Sequence, residues 1–263
     1  MEATRREGPM DYDTITVSVD GAVGTLLLDN PSKLNPLSVA CLLELTDAAH
    51  WFDGHDDVKA VIVRGNGRAF TAGADLAAFT GGGGMDRAGT DAGRVMAEAI
   101  TAMQAVTVAA IHGHCVGGGV VLAAACDLRM AAEDVRFVIP EVDLGIPLAW
   151  GGIPRLVREV GPAATRDLVM TCRPFGAAEA QTLGFVNRVV PAADLEGAAE
   201  ELARLLASKS AYTLRATLRA VDAAAEALVP TGGSWNDADS LAAARRDPES
   251  RETARRYLES LGR

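Results

Sequence analysis

The sequence predicts an α/β fold built from stacked units of strand, glycine turn and helix, and three observations carry that expectation. An apolar run from Val106 to Ile111 is followed by Gly117-Gly118-Gly119 and a second apolar run from Val120 to Cys126, which reads as strand, turn and helix. The same order occurs earlier, where Val58 to Arg64 precedes the turn Ala69-Phe70-Thr71-Ala72-Gly73-Ala74-Asp75-Leu76 and a helix from about Arg87 to Met103. Near the N-terminus Ile15, Val17 and Val19 alternate up to Asp20-Gly21 and Val23 to Leu28 runs back, the pattern of a hairpin. Alternation of this kind argues for β-β-α units that share one core.

The other elements follow in order. Ser38 suits the N-cap of a helix reaching Phe52, along which Leu42, Leu43, Leu45 and Ala49 form a stripe. Gly81-Gly82-Gly83-Gly84 reads as a loop; no Lys-Ser or Lys-Thr follows it, so it is not a phosphate loop. Val135 to Ile139 is a further strand, and beyond Arg155 the pattern becomes mostly helical, with breaks at Gly161-Pro162, Gly176, Gly184 and Pro191. A final helical section starts at about Ser208 and is interrupted by Pro230-Thr231-Gly232-Gly233; in it Asp247-Pro248 supplies an N-cap and first helical residue. The expected division is therefore a core over residues 1–207 and a helical section over 208–263.

Composition narrows the function. At 263 residues and 49% hydrophobic content, the chain buries a full core. The 25 Lys and Arg against 35 Asp and Glu give a formal charge of -10, which argues against nucleic acid or an anionic membrane as partner. Lysine occurs only at Lys33, Lys59 and Lys209, so arginine carries most positive charge. Cys41, Cys115, Cys126 and Cys172 lie in apolar stretches without C-x-x-C spacing, as reduced core thiols do. The charged stretch from Met1 to Gly8 and the lack of an apolar run of about 18 residues point to a cytoplasmic protein without signal peptide or anchor.

The glycine turns carry the chemistry. A helix start offers backbone N–H groups without intrahelical partners and a partial positive charge, and glycine lets a ligand oxygen approach them. Two such turns make a site that polarises an acyl oxygen. Glu141 follows a strand and a proline and is read as an acid/base, against the plainer reading of a solvated turn carboxylate. Asp143, two residues on, would share its side of an extended segment and act as a substitute carboxylate, or else serve as a surface or capping residue. Trp150 either shapes the pocket or belongs to the core, Asp75 is read as a helix cap, and His112 and His114 find no third ligand in sequence, so no metal is expected.

Taken together, Lys33-Leu34-Asn35-Pro36-Leu37-Ser38, Ala69 to Leu76, Gly113 to Gly119, Pro140-Glu141-Val142-Asp143-Leu144-Gly145 and Gly184-Phe185-Val186-Asn187-Arg188-Val189-Val190 stand in an order that resembles the crotonase superfamily, the enoyl-CoA hydratase and isomerase group. The resemblance implies a crotonase-type spiral of ββα units with a C-terminal helical section that packs in homotrimers or dimers of trimers. It implies an acyl-CoA thioester as substrate, with coenzyme A part of that substrate and no separate cofactor. The thioester oxygen would lie between the N–H groups of Ala74 and Gly118, and Lys33, Leu34, Ala72, Ala74 and Leu76 would hold the CoA moiety. Glu141 falls at the family's retained glutamate.

Two positions depart from the family pattern. Ala77 stands where a basic residue is common, with Arg68 nearby as a replacement or as a plain surface residue. Val121 stands where hydratases carry a second glutamate. Hydration needs a held water and a delivered proton, which a valine cannot supply. One glutamate suffices for moving a double bond. The expectation is therefore enoyl-CoA isomerisation with Glu141 as sole acid/base. The alternatives are a hydratase using a substitute carboxylate and a non-catalytic acyl-CoA-binding protein.

Overall fold

The computed structural model describes residues 11–75, 87–260 and 262. The N-terminal hairpin forms as expected, with β1 (Ile15–Asp20) antiparallel to β2 (Val23–Leu28). From β2 onward the main sheet is parallel: β3 (Ala60–Gly65), β4 (Val106–Ile111), β6 (Leu128–Ala132) and β9 (Arg188–Val190) add in the order β1-β2-β3-β4-β6-β9. A second, three-stranded sheet is made by β5 (His114–Val116), β7 (Arg136–Val138) and β8 (Phe175–Gly176). A single bridge from Thr71 to Cys115 extends it by one more position beside β5.

From β3 to β7, each turn of the chain thus contributes one strand to the main sheet and one short strand or bridge to the second sheet, followed by a helix. The helices are α1 (Val39–Asp53), α2 (Arg87–Thr101), α3 (Gly118–Ala125) and α4 (Gly152–Thr171). Ser38 caps α1 by accepting a hydrogen bond from the Cys41 amide. The central strands are apolar on both faces because both are covered. On β3, Val61 and Val63 join the cluster containing Leu42, Leu45 and Phe52 of α1, while Ala60 and Ile62 meet Leu195, Ala199 and Leu202 of a later helix.

After α4, which is broken at Gly161 as the Gly161-Pro162 pair predicts, come α5 (Ala177–Thr182), α6 (Leu195–Ala207), α7 (Ala211–Leu228), α8 (Asp237–Ala244) and α9 (Pro248–Ser260). Asp247 caps α9, its side chain accepting from the Ser250 amide at 2.8 Å. Two expectations need correction here. The stretch beyond Arg155 also carries strands β8 and β9, which extend the two sheets; three residues or fewer apiece are too short to set a period. In addition, β4 does not lead straight into the glycine turn, because β5 intervenes and switches the chain to the second sheet.

Four buried free thiols agree with the reading of the cysteines, and burial raises Cys41 to about 11 and Cys126 to about 12. Among the described residues no helix is long and apolar enough to cross a membrane.

Candidate active site

The second sheet brings the expected turns together. Thr71, β5 and β7 are neighbours, and all of them run parallel, so the segments that follow them emerge side by side: 72–75, 117–118 and 139–141. Gly73, with φ +85, presses against the Val116 carbonyl, where an added Cβ would lie 2.5 Å from that oxygen. The Gly117 amide donates to Val138 O at 2.8 Å and ties the second segment to the third.

Backbone donors are left over at this junction. In the first segment the Ala72 amide donates to Leu34 O at 2.8 Å, Gly73 to Thr71 Oγ1 at 3.0 Å and Asp75 to Leu37 O at 3.3 Å. Among the described residues, the amides of Ala74 and Gly118 donate no hydrogen bond. Gly118 is the first residue of α3, where such an amide is expected to lack a partner.

Glu141 lies over this helix start. Its Oε1 would be 2.3 Å from a Cβ on Gly117, whose φ of +48 suits glycine, so only a bare backbone leaves room for the carboxylate. The residue is buried, its Oε2 has no hydrogen-bond partner, and burial pushes its carboxyl up to about 7. An orphaned buried carboxylate oxygen is costly, so its persistence marks a group awaiting a ligand or a proton.

Residues 140–146 form a tight turn, with Leu144 N donating to Pro140 O at 3.0 Å and Ile146 N to Glu141 O at 2.9 Å. The segment is thus not the extended one on which Asp143 would share the side of Glu141; Asp143 is exposed, close to Cys172. Val121 is fully buried, and its Cγ2 would be 2.8 Å from a Cβ on Gly152, a space shared with Leu148.

Trp150 occupies the gap between two glycines. A Cβ on Gly118 would fall 2.2 Å from its Cζ3 and one on Gly93 2.0 Å from its Cδ2, so the indole is sandwiched between α2 and the start of α3. Trp150 and Gly151 both have positive φ, 62° and 67°, and Asp237 holds them by accepting from the Gly151 amide at 2.8 Å. The ring also lines a small pocket together with Leu37, Ala74, Asp75, Leu241 and Arg245. Leu241 belongs to α8 and Arg245 directly follows it, so the C-terminal section of this same chain reaches the site.

Lys33 is exposed and Leu34, with φ 62°, turns the chain so that its carbonyl meets Ala72. The expectations for Leu76, Ala77 and Gly81 to Gly84 fall outside the described residues. Arg68 is exposed; His112 makes a 2.9 Å hydrogen bond with Gly67 O and His114 faces solvent. Among the described residues no three potential metal ligands cluster.

Asn35 and Thr71 are supporting residues that the sequence reading left without a role. Asn35 is buried with φ 53°, a conformation Asn tolerates better than most residues. Its Nδ2 donates to the carbonyls of Asn66 (2.9 Å), Ala69 (2.9 Å) and Phe70 (3.2 Å), and its Oδ1 accepts from Asn30 N. Thr71 Oγ1 donates to Asn35 O at 2.5 Å. The 30–37 loop and the 66–74 turn are thereby fastened as one piece. Asn35→Ala is expected to cost on the order of 3 kcal/mol by orphaning these groups, read as a lower urea midpoint; an unchanged midpoint would refute this linkage.

Residues 18–262 match the family model described as enoyl-CoA hydratase/isomerase. The chain belongs to that family. A protein of Mycobacterium tuberculosis named "Probable enoyl-CoA hydratase" is 37% identical over 85% of this chain and 86% of its own length. The peroxisomal Delta(3,5)-Delta(2,4)-dienoyl-CoA isomerase of Arabidopsis thaliana is 34% identical over 86% of this chain and 89% of its own length. Among solved structures, an enoyl-CoA hydratase from Bacillus anthracis superposes with a TM-score of 0.76 at 33% identity, covering 80% of this chain and 83% of that one. The fold is the crotonase fold, with the helical C-terminal section that the resemblance implied.

Proposed function

We propose that this member of the family moves the double bond of an enoyl-CoA, with Glu141 as its only acid/base. The observation that carries the reading is a buried carboxylate with an orphaned oxygen over the glycine helix start, in a chain whose position 121 is a valine. The thioester oxygen takes a place between the Ala74 and Gly118 N–H groups, and Lys33, Leu34, Ala72, Ala74 and Leu76 carry the CoA moiety along the main chain. CoA enters as part of the substrate and no other cofactor takes part. Glu141 removes a proton from the carbon beside the thioester, the electron pair shifts toward the thioester oxygen, and the two N–H groups stabilise that charge without reorganising. Glu141 then returns the proton two carbons further along the chain. A carboxyl group near pH 7 accepts and releases a proton with little penalty either way.

A hydratase reading draws on the names of relatives, but it needs a second group to hold water. Asp143 is exposed, on a turn rather than an extended segment. Residues 208–263 are assigned to capping the site and to assembly into a homotrimer or dimer of trimers in the cytoplasm, with neither nucleic acid nor membrane as partner.

The test is product analysis. The purified chain is incubated with matched 2-enoyl-, 3-enoyl- and 3-hydroxyacyl-CoA thioesters, and products are resolved by mass and chromatography. Conversion of a 3-enoyl to a 2-enoyl thioester at constant mass is expected. Rapid addition of water by the parent chain would overturn the one-glutamate reading, and binding without any product would favour the non-catalytic alternative.

A further inference from the structure

Asp127 directly precedes β6 and takes no part in the chemistry above. It is fastened to β4: its Oδ2 accepts from the Thr107 amide at 2.6 Å and from Thr107 Oγ1 at 2.7 Å, and its own amide donates to that hydroxyl at 2.8 Å. The helix α7 passes over this point in contact with β4 and brings Asp222 within electrostatic reach of Asp127. That helix is held mainly at its ends. Before its first turn Lys59 Nζ donates to the carbonyls of Ala207 and Lys209, both at 2.9 Å; past its last turn Arg158 Nε donates to Val229 O at 2.8 Å, and the same guanidinium pairs with Glu226. Between these pins no residue of α7 is buried, and it meets the core through a half-covered stripe at 211, 214, 215, 218, 222 and 225.

Two carboxylates thus stand in the middle of a lightly held interface. The cation beside Asp127 is Arg129 of β6, already paired with Glu159, and the one beside Asp222 is Arg158 of α4, already paired with Glu226. Arg215, on α7 itself, reaches the end of α1, where it donates to Asp56 O at 2.9 Å and lies near Asp53. Cys126, next to Asp127, is a thiol that burial raises to about 12 and so keeps neutral. Burial, and with it the charge of Asp222, pushes the Asp127 carboxyl up to about 6 against the hydrogen bonds from Thr107, and burial raises Asp222 as well.

We propose that Asp127 and Asp222 form a proton latch between the core and α7, which closes the helix on the sheet while the pair holds a proton and loosens it when both carboxylates are charged. A carboxyl raised in the docked state binds its proton more tightly there than in the open one, so docking is firmest in acid and weakens as pH rises through about 6. The opening is local. It frees the helix between its two pins without unfolding the sheet, as the less stable parts of a fold commonly do. Beyond α7 the chain continues to α8, whose Asp237 holds Gly151 next to Trp150.

Hydrogen–deuterium exchange of the full chain at pH 5 and pH 8, corrected for the chemical exchange rate, tests it independently of any activity. Peptides from α7 are read against those from α2, which reports changes that affect the whole molecule. Protection of α7 is expected to fall by roughly 10-fold or more between the two pH values, beyond any change in α2. Asp127→Asn, which still accepts from Thr107, is expected to remove most of that fall, and Asp222→Asn to reduce it. Should Asp127→Asn fail to fold, the parental fall and its reduction in Asp222→Asn, a half-covered position on the helix, decide the matter. Equal protection of α7 at both pH values in the parent overturns the inference. So does a fall shared equally by α2, which would make it a property of the whole fold, or a parental fall that persists unchanged in the folded variants, which would place the proton elsewhere.

Discussion

Replacing Glu141 by Gln lowers turnover on the best acyl-CoA by roughly 100-fold to 10,000-fold, the range for loss of a general acid/base, and keeps thioester affinity within a small factor. On the proposed reading, binding survives because main-chain donors hold the thioester oxygen, and the substitution does not touch them. The same group sets a pH dependence. With the carboxyl raised to about 7, the proton-accepting form is depleted below that pH, so kcat/KM of the parent falls as pH drops through about 7. A parental profile flat from pH 5 to 8 would remove Glu141 from the proton transfer.

Stability moves in the opposite sense. The folded state holds the Glu141 proton up to about 7 whereas the ordinary value is 4.5, so between these values the native chain binds more protons than the unfolded one. Parental stability is therefore highest below 4.5 and declines through about 7, by roughly 3 kcal/mol at 1.36 kcal/mol per unit, as far as this residue is concerned. Glu141→Gln lacks that decline. Its melting temperature is expected to exceed the parent's at pH 8, with the difference shrinking toward pH 4.5. Lower stability than the parent at both pH values would mean that the carboxylate is better solvated than its burial indicates.

Val121→Glu produces the second large effect. The side chain is fully buried against Leu148 and the bare Cα of Gly152, so a carboxylate there has neither water nor a partner. An unpartnered buried charge costs several kcal/mol, a large share of the roughly 5–15 kcal/mol that holds a typical domain together. The new group escapes part of the cost by staying protonated, so the loss of melting temperature is expected to be greater at pH 8 than at pH 5. An unchanged melting temperature at both would show that position 121 is open to water. Appearance of a 3-hydroxyacyl-CoA from a short 2-enoyl-CoA in the variant, and not in the parent, would identify the second carboxylate as the group that this chain lacks for hydration.

Local pattern made some of this legible in advance and hid the rest. The hairpin, α1 with its Ser38 cap, and the glycine turns at 73 and 117–119 announce themselves within windows of about ten residues, because period, cap and turn chemistry are all local. Glu141 was visible through its proline and the preceding strand. Of the two readings of Asp143, its exposure fits the surface residue, since a carboxylate spaced by two shares a face only in extended chain and residues 140–146 turn. Asn35 gave a signal as part of a motif, yet its three carbonyl partners lie about thirty residues away and no pattern announces them. Asp237, Leu241 and Arg245 were missed for the same reason on a larger scale: their approach to Ala74 and Trp150 is set by how the last helices fold back.

The indole of Trp150 behaves as a removable plug. It fills a slot whose two sides are the α-carbons of Gly93 and Gly118, so on the proposed reading the depth left for an acyl tail depends on one side chain rather than on the framework. Shortening that residue would extend the cavity toward α2 without moving any strand, and length selectivity would change while the donors at Ala74 and Gly118 stayed where they are. In an enzyme working as proposed, the framework is a fixed gauge for the thioester and the ruler for the tail sits on a single exchangeable position.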